Sequence, residues 1–572
     1  VQTPDCHIGS HAFGRSGIVA DQKRVVAVDG ESGIYHTLSK SPDLLYKNNN
    51  NNVSISKKCK GNLCILDKEK STLYLVADLL GCFPLYYTST KNAFAFSTRL
   101  RSFGKFLSNS HDIAGIVAFF LDGYTFNNRT LYKNISRLRP GEIIRVKIPE
   151  LDISIDNYSK LWSTKKGEHS QYDIVDDATK LLRKTFDVDI NTLLMMSAGW
   201  DSRTLLAAGV ANKKLNKLTT YSHGDLYSRE CKIVDHIAKL MKVELVKQSI
   251  NTTMYDPDIL HKNLDYTENV IFPHWHCAGE RAKEIGVLQV AAGIFGEAFG
   301  GHYGPPMMLK GINKAISTGK YLLNLQYINK IEDLKKDALQ NAYALLKLSN
   351  LKKPWFISDD FWESNVKHII NTLNEDIKTV LERYKQRGIE KTENYIEAFI
   401  TEHRGAQYVS AQLLSCRHHV DICLPYADRE LIEFATAVPF HKKVHNILNQ
   451  AVINNVAPQL LEFPMAATLL SAKYPIIQQE ASRATRKLIE DLHWKIHKIS
   501  KGAINEPRLG WVNFQFLSES RHLHEIIDSL QQPYWDKKKM ASYIDDTEHI
   551  SFHPISDMLM KLLTIEYCLN NH

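Results

Sequence analysis

The sequence predicts an α/β protein that contains two different kinds of sheet. Short β-branched and aromatic runs separated by turn residues dominate residues 1–105, as in an antiparallel sheet. Between residues 171 and 250, helical and strand-like segments alternate, which is typical of a doubly wound parallel sheet. We therefore expect a β-rich domain at 1–160 and a parallel-sheet domain at 170–572, with many added helices from about 305.

Composition limits the class of protein. The chain of 572 residues is longer than one domain of about 150 residues. Its composition, 44% hydrophobic and 23% charged residues, is ordinary for a globular protein. The net charge of +8, from 71 basic and 63 acidic residues, suits a solvated surface and also an anionic substrate. No apolar run approaches 18 residues and no signal peptide is recognisable, so we expect no membrane span.

The nine cysteines are scattered and odd in number, without a CxxC pair. This pattern favours reduced thiols and a cytoplasmic protein, in which the sequons at Asn128 and Asn134 are accidental. The sequence has no basic stripe with interleaved aromatic residues and no zinc knuckle, so we expect no nucleic-acid partner. A homodimer stays an open alternative.

The β-rich part begins with three short strand-like runs, at residues 24–28, 72–77 and 93–97. Between the first two lies a polar, asparagine-rich tract at 47–52, which we expect to be a surface loop.

Several stretches of this part resemble class II glutamine amidotransferase domains. Residues 60–70, 75–87 and 96–100 follow the order of that family's motifs, including Asp-x-x-Gly-x-x-Pro-Leu-Tyr-Tyr. Residues 129–142 and 158–162 resemble the connection by which asparagine synthetases leave that domain. The resemblance implies an N-terminal amidotransferase-like sandwich of the Ntn type, with the layers αββα.

The front of the chain departs from that family. Its members use an N-terminal cysteine whose own amine serves as base, whereas residue 1 here is Val and Cys6 is internal. Ala77 stands where the family has an arginine. We expect a scaffold domain that has lost glutaminase chemistry, with unusual processing of the front as the alternative.

The centre of the chain is a strand, a small-residue loop and a helix. Residues 192–196 form an apolar run suited to a buried parallel strand, and a helix follows from about Arg203. Loop amides and a helix N-terminus together make an anion site. Gly199 allows close backbone approach, while Asp201 suits a phosphate site only if a divalent cation is present.

This loop resembles the Ser-Gly-Gly-x-Asp-Ser pyrophosphate loop of N-type ATP pyrophosphatases, with Ala replacing the first glycine. No Gly-Lys-Ser/Thr follows, so it is not a Walker loop. The resemblance implies ATP and Mg²⁺ as cofactors, bound by Ser197, Ala198, Gly199, Trp200, Asp201 and Ser202. The alternative is an ordinary strand-to-helix turn capped by Ser or Asp.

The rest of the parallel sheet follows from the alternation. We predict helices at 171–187, 228–240 and about 275–285, and strands at 216–222, 243–247 and from 287. Ligands bind at the carboxyl ends of such strands. The triphosphate is therefore expected at the loop, and the adenine near Ser222.

A glycine-rich loop follows the fourth strand. In asparagine synthetases this place reads Gly-Glu-Gly-x-Asp-Glu-x-Phe-Gly-Gly-Tyr, and alignment on Phe-Gly-Gly retains Glu297. Gly296 stands where the family has a metal-binding Asp, and Gly293 where it has the Glu that acts as base. Because a second carboxylate must face Asp201 across Mg²⁺, we assign that role to Glu297, with a solvent-facing loop residue as the alternative.

The remaining helical region carries weaker signals. Residues 314–347 suggest an insertion or lid, residues 395–419 a long helix pair, and 420–435 resemble a family segment on the nucleotide side. Lys473 is the nearest candidate for the family's catalytic lysine, which stabilises the transition state. His418 and His419 near Cys416 fit polar packing better than a metal site, since no matching pair is evident.

The C-terminal residues 480–572 carry no recognisable motif. Charged helices are expected there, with the tryptophans as anchors: Trp494, Trp511 and Trp535.

These features favour an ATP-dependent amide-forming ligase of the asparagine-synthetase type. A carboxylate would be adenylated with release of pyrophosphate, and ammonia or an amine would then displace AMP. The carboxylate could belong to aspartate, a peptide or a sugar acid, and the altered 293–297 loop argues against aspartate. The alternative is a non-catalytic nucleotide-binding or structural relative.

Overall fold

The computed structural model describes residues 2–3, 6–8, 17–49, 52–106, 110–163, 174–304, 306, 318–319, 321, 351–500, 522–545 and 552–570. It confirms an α/β protein with antiparallel sheet at the N-terminus and a parallel sheet later in the chain. No helix within these residues is long and apolar enough to span a bilayer.

The N-terminal part is built from antiparallel strands. They are β1 (Gln2–Thr3), β2 (Cys6–His7), β3 (Ile18–Ala20), β4 (Arg24–Gly30), β5 (Tyr46–Asn49), β6 (Asn52–Ile55), β7 (Gly61–Asp67), β8 (Thr72–Val76), β9 (Tyr86–Ser89), β10 (Phe94–Ser97), β11 (Ser136–Arg137), β12 (Glu142–Lys147) and β13 (Asp152–Asn157). The main sheet has the order β13-β12-β8-β7-β4-β3, and a smaller sheet has the order β10-β9-β11.

The main sheet is buried on both faces because its central strands carry apolar residues at successive positions. In β4, Val26 and Val28 point to the core beneath helix α1 (Ser32–Lys40). Val25 and Ala27 point to the opposite core, which the smaller sheet covers with aromatic side chains of β9 and β10. The resulting layers are helix, sheet and sheet.

The asparagine-rich tract is not simply a loop, as the sequence suggested. β5 and β6 form an antiparallel hairpin in which Lys47 pairs with Ser54 and Asn49 with Asn52. Polar side chains do not prevent strand pairing here, because Tyr46 and Val53 anchor the hairpin in the core beneath α1.

The second sheet has five parallel strands in the order β16-β15-β14-β17-β18. They are β14 (Thr192–Met195), β15 (Leu218–Gly224), β16 (Glu244–Ser249), β17 (Gln289–Ala291) and β18 (Asp421–Cys423). The apolar strand β14 lies at the centre, as its composition predicts. Chain order reverses on either side of it, so the crevice between β14 and β17 is the topological switch point at which such sheets bind ligands.

Helices surround this sheet. They are α2 (Ile113–Asp122), α3 (Ile174–Thr185), α4 (Trp200–Ala211), α5 (Arg229–Met241), α6 (Pro257–Thr267), α7 (Pro273–Glu284), α8 (Gly296–Phe299), α9 (Asp359–Gln386), α10 (Thr392–Ile400), α11 (Ser410–Leu414), α12 (Arg429–Ala437), α13 (Ile447–Val456), α14 (Ile476–Ile499), α15 (His522–Ser529), α16 (Lys537–Asp545) and α17 (Phe552–Asn570).

The expected helix pair near residues 395–419 is wrong. Helix α10, a π-helix at Thr401–Val409, α11 and a 3₁₀ turn at Ser415–His418 follow one another without a break. No proline interrupts this stretch, and the chain passes through the wider π-helical turns without reversing.

Most of the expected insertion at 314–347 lies outside the described residues, as do Trp511 and the side chain of Trp494. Trp535 is buried, and its indole N–H donates to Glu566. This tryptophan therefore anchors the C-terminal helices as expected.

The two sheets are joined through the segment that follows α11. The buried guanidinium of Arg417 donates to Asp29 Oδ1 at 2.8 Å, and the Leu424 N–H donates to Glu31 Oε1 at 3.1 Å. The next residues reach the start of α4, where the Tyr426 hydroxyl donates to the Asp201 carbonyl oxygen at 3.1 Å. The N-terminal sheets thus support a segment that touches the loop directly.

Candidate functional site

The loop between β14 and α4 is held in place by its own serines. The Ser197 N–H donates to Ser202 Oγ, and the Gly199 N–H donates to Ser197 Oγ, both at 3.1 Å. Helix α4 begins at Trp200, and its cap residue Gly199 has no side chain to engage the first-turn amides. The loop therefore has the arrangement expected of an anion site at a helix N-terminus.

Asp201 lies in the first turn of α4 and faces a second carboxylate. Desolvation and the neighbouring Glu297 raise the pKa of Asp201 well above its usual value, against the opposing effect of Asn449. The Asn449 Nδ2 donates to Asp201 Oδ1 at 3.2 Å and fixes the carboxylate. The structure thus brings together the two acids that the sequence proposed as a pair.

Glu297 completes the pair from α8, at the carboxyl end of β17. Its Oε2 atom is buried and has no hydrogen-bond partner within the described residues. A buried carboxylate oxygen without a donor is unfavourable unless a ligand supplies the missing interaction. This atom therefore points to a ligand at the site.

Gly293 and Gly296, at the two positions where the resemblance would place further acids, pack against Asp201. A Cβ on Gly296 would lie 2.4 Å from Asp201 Cγ, and a Cβ on Gly293 would lie 2.8 Å from Asp201 Cβ. The Asp201 side chain therefore fills the space that any larger residue at 293 or 296 would need. The absence of side chains at Gly293 and Gly296 is therefore required by the position of Asp201.

The two carboxylates fit Mg²⁺. Magnesium prefers oxygen ligands and is usually held by one or two carboxylates, with substrate phosphates and water completing its shell. Within the described ranges, no group of three or more His, Cys, Asp or Glu is arranged to hold a metal. Two carboxylates suit a metal whose remaining ligands are phosphate and water.

Two open cavities adjoin at the loop. One, of about 290 Å³, lies toward β15, and the other, of about 360 Å³, lies toward the N-terminus of α4. Both are lined by the same five residues: Ser197, Gly199, Asp201, Glu230 and Glu297. The site can therefore hold a ligand that extends to both sides of the acidic pair.

The cavity toward β15 has an aromatic and sulfur-rich lining. Ser222 lies here, as do His223 and Trp275, whose rings are 5.6 Å apart. Burial lowers the pKa of His223 to about 3, so the imidazole is neutral at physiological pH. A flat, uncharged base suits this side, which is where the sequence placed the adenine.

Lys473 does not lie at the loop. Its side chain is half exposed, and its ammonium lies 2.6 Å from Glu462. It is not among the described residues that line either cavity. Its catalytic role stays a prediction that its position does not support.

Two other basic residues near the loop have structural partners. Lys443 is buried and donates to Glu397 and to the carbonyl oxygens of Ala298 and Ala435. Arg203 is fully buried and donates to four backbone carbonyls, including that of Ala198. Both side chains therefore hold the frame of the site.

Sequence reasoning missed several residues of this site. Glu230, in the first turn of α5, accepts from the Ala198 N–H at 3.4 Å. Its position after the carboxyl end of β15 could have indicated this from the sequence. Asn449 carries no local signal, because long-range packing brings it to Asp201. The same holds for Tyr303, which accepts from Arg404 at 3.2 Å and whose pKa is raised by burial and by Glu297. Tyr426 lies in the segment 420–435, which the sequence placed on the nucleotide side, but it was not singled out.

The histidines near Cys416 pack against one another. His419 Nε2 lies 3.0 Å from His276 Nε2, and the Cys416 thiol donates to the Trp275 carbonyl at 3.1 Å. Burial and the neighbouring histidines lower the pKa of His276 to about 3. The group stabilises α7 against the helical run at 392–418.

Two comparisons with known proteins show what parts of this chain resemble. Residues 43–159 match the family described as glutamine amidotransferase domain. The chain is also 27% identical over 171 residues to a Methanocaldococcus jannaschii protein named "Putative asparagine synthetase (glutamine-hydrolyzing) 2". That match covers 28% of this chain and 33% of the other protein, so the chain spans about a third of the relative's length.

Proposed function

We propose that the chain, for which these comparisons support an asparagine-synthetase-family assignment, is an ATP-dependent amide-forming ligase. ATP with Mg²⁺ would bind at residues 197–202, and a substrate carboxylate would attack the α-phosphorus. Pyrophosphate would leave, and ammonia or an amine would displace AMP from the acyl-adenylate. This proposal starts from the resemblance of the sequence motifs to those of asparagine synthetases.

The facing pair of Asp201 and Glu297 is the observation that carries the proposal. Two carboxylates beside a helix N-terminus would repel a phosphate unless a cation lay between them. One of their oxygens is buried and without a partner in the described part of the chain. A nucleotide bound with a divalent cation accounts for both features.

The residues of the chain would position the reactants. First-turn amides of α4 would donate to the phosphate oxygens, while Asn449 and Tyr426 keep Asp201 in place. His223 and Trp275 would bind the base in its uncharged surroundings. Mg²⁺, when bound by Asp201 and Glu297, would neutralise part of the phosphate charge.

The nitrogen source is proposed to be ammonia or an amine of the substrate. Ala77, where the amidotransferase family has an arginine, is buried, and its N–H donates to the Glu142 carbonyl oxygen. Alanine offers neither the charge nor the hydrogen-bond donors that an arginine would supply at this position. This position supports a scaffold role for the N-terminal domain.

A non-catalytic nucleotide-binding relative is the second candidate. It is favoured by Gly293, which supplies no base where the family has a glutamate, and by the remote position of Lys473. Such a protein would bind ATP but release no AMP with any carboxylate.

The test is to incubate the purified protein with ATP, Mg²⁺, ammonium and a panel of amino acids, peptides and sugar acids. We expect at least one carboxylate to cause matched release of AMP and pyrophosphate, and we expect no glutamate from glutamine. ATP binding without AMP release across the whole panel would favour the non-catalytic candidate. Glutamate release at the rate of AMP formation would contradict the scaffold role.

A further inference from the structure

The cavity toward the N-terminus of α4 has an unusual charge distribution. Its described lining includes four carboxylates, those of Asp201, Glu230, Glu297 and Glu480. Under the proposed function, this is the side on which the departing phosphates would lie. Such a lining needs positive groups besides a metal in order to hold a polyanion.

Arg483 is the single Lys or Arg among the described residues that line this cavity. It lies in the second turn of α14, and its Nη2 atom is 3.3 Å from Glu480 Oε1. Its Nε atom is buried and has no hydrogen-bond partner in the described part of the protein. The guanidinium therefore retains an unused donor beside the cavity.

The other basic side chains near the loop cannot serve the same purpose. Lys443 and Arg203 donate to buried acceptors and are not among the described residues that line either cavity. Lys473 is paired with Glu462 at the surface. Among the described residues, Arg483 forms an ion pair with Glu480 of its own helix. A planar guanidinium is suited to phosphate oxygens, which it can bind through two parallel hydrogen bonds.

We propose that Arg483 binds the pyrophosphate portion of ATP and stabilises it as the leaving group. This inference rests on the proposed function. A carboxylate oxygen forms a bond to the α-phosphorus, the bond from that phosphorus to the bridging oxygen breaks, and the electron pair departs with pyrophosphate. Arg483 donates to the oxygens on which that charge accumulates, and thus takes the role sought for Lys473.

The test compares the binding of inorganic pyrophosphate with Mg²⁺, and of AMP, by titration calorimetry. Arg483→Ala should weaken pyrophosphate binding at least tenfold and leave AMP binding within twofold of wild type. Arg483→Lys should recover part of the loss, because it keeps the charge without the planar edge. Lys487→Ala, which removes an exposed charge from the same helix, should change neither affinity.

Each other outcome overturns the assignment. Unchanged pyrophosphate affinity in Arg483→Ala would show that this residue does not bind the leaving group. An equal loss of AMP affinity would show a general disturbance of the cavity rather than a phosphate contact. If the wild-type protein bound neither ATP nor pyrophosphate, the proposed function would fail as well. Failure of the Arg483 assignment alone is therefore distinguishable from failure of the proposed function.

Discussion

Gly296 illustrates how a single position determines the geometry of the acidic pair. A Cβ there would lie within 2.6 Å of Asp201 Oδ1, which no side chain tolerates without displacement. Overpacking of this kind typically costs about 1–3 kcal/mol, or is relieved by movement of the neighbour. The neighbour is the residue that would hold Mg²⁺.

Gly296→Ala should therefore lower AMP formation more than tenfold while the protein remains folded. Circular dichroism and the rate of AMP release measure the two effects. Gly33→Ala is the matched control, because a Cβ at Gly33 in α1 meets nothing within 4 Å. A Gly296→Ala protein with wild-type activity would show that Asp201 can move without consequence.

Glu268 allows a pH-dependent prediction. Burial raises its pKa from 4.5 to about 7, against the N–H of Leu100, which donates to Oε1 at 2.7 Å. The folded protein therefore binds this proton more tightly than the unfolded chain, so the group makes stability fall as pH rises from 4.5 to 7. Above pH 7, the resulting loss in the free energy of unfolding is on the order of 3 kcal/mol.

Glu268→Gln should remove this dependence. The melting temperature of the variant relative to wild type should increase between pH 5 and pH 8. Glu284→Gln, at an exposed glutamate paired with Arg281, should show no such trend. If the difference in melting temperature between Glu268→Gln and wild type were constant from pH 5 to pH 8, Glu268 would not be protonated in the folded protein.

Individual site residues were predictable only where the chain marks them locally. Ser197 to Ser202 follow a buried strand and open a helix, so their anion-site arrangement is visible in the sequence. Arg483 and Asn449 have no comparable signal, because distant helices bring them to the loop. The conflict between Gly296 and Asp201 is likewise a matter of packing that no pattern reveals.

At the scale of elements, strand β18 was the principal omission. It has three residues and follows a long helical region, so neither length nor alternation indicates a strand. Its parallel pairing with β17 defines it. The four preceding strands were predicted because apolar runs alternate there with amphipathic helices.

The segment before β18 joins the two sheets through Arg417. Its guanidinium is almost fully buried, donates to Asp29, and lies 5.2 Å from the Phe83 ring centroid. Removal of one member of a buried ion pair costs roughly 3–5 kcal/mol, because the other charge loses its partner.

Arg417→Met should therefore weaken the contact between the N-terminal sheets and the rest of the protein. Calorimetry should show a lower melting temperature and a separate, earlier transition for the N-terminal part. Arg281→Met, which breaks an exposed pair, should cost about 0–1 kcal/mol. Identical melting of both variants would contradict the bridging role of Arg417.

At the scale of the whole molecule, the antiparallel sheets and the parallel sheet meet at the segment that also contacts Asp201. The N-terminal domain can therefore influence the site without chemistry of its own, by supporting Arg417 and Tyr426. The expected order of the two sheet types was correct, since strand composition and alternation encode it. The way in which they join was not predictable, because it depends on buried contacts between distant residues.

The exchange of labelled pyrophosphate into ATP tests the central claim most directly, because it reports adenylation without requiring the amine. With Mg²⁺ and an accepted carboxylate, the wild-type protein should catalyse exchange, and both Asp201→Asn and Glu297→Gln should abolish it. Asp235→Asn, at a surface residue of α5 paired with Lys239 and Lys247, should retain the wild-type rate. Undiminished exchange in Asp201→Asn would contradict the assignment of this loop as the ATP site.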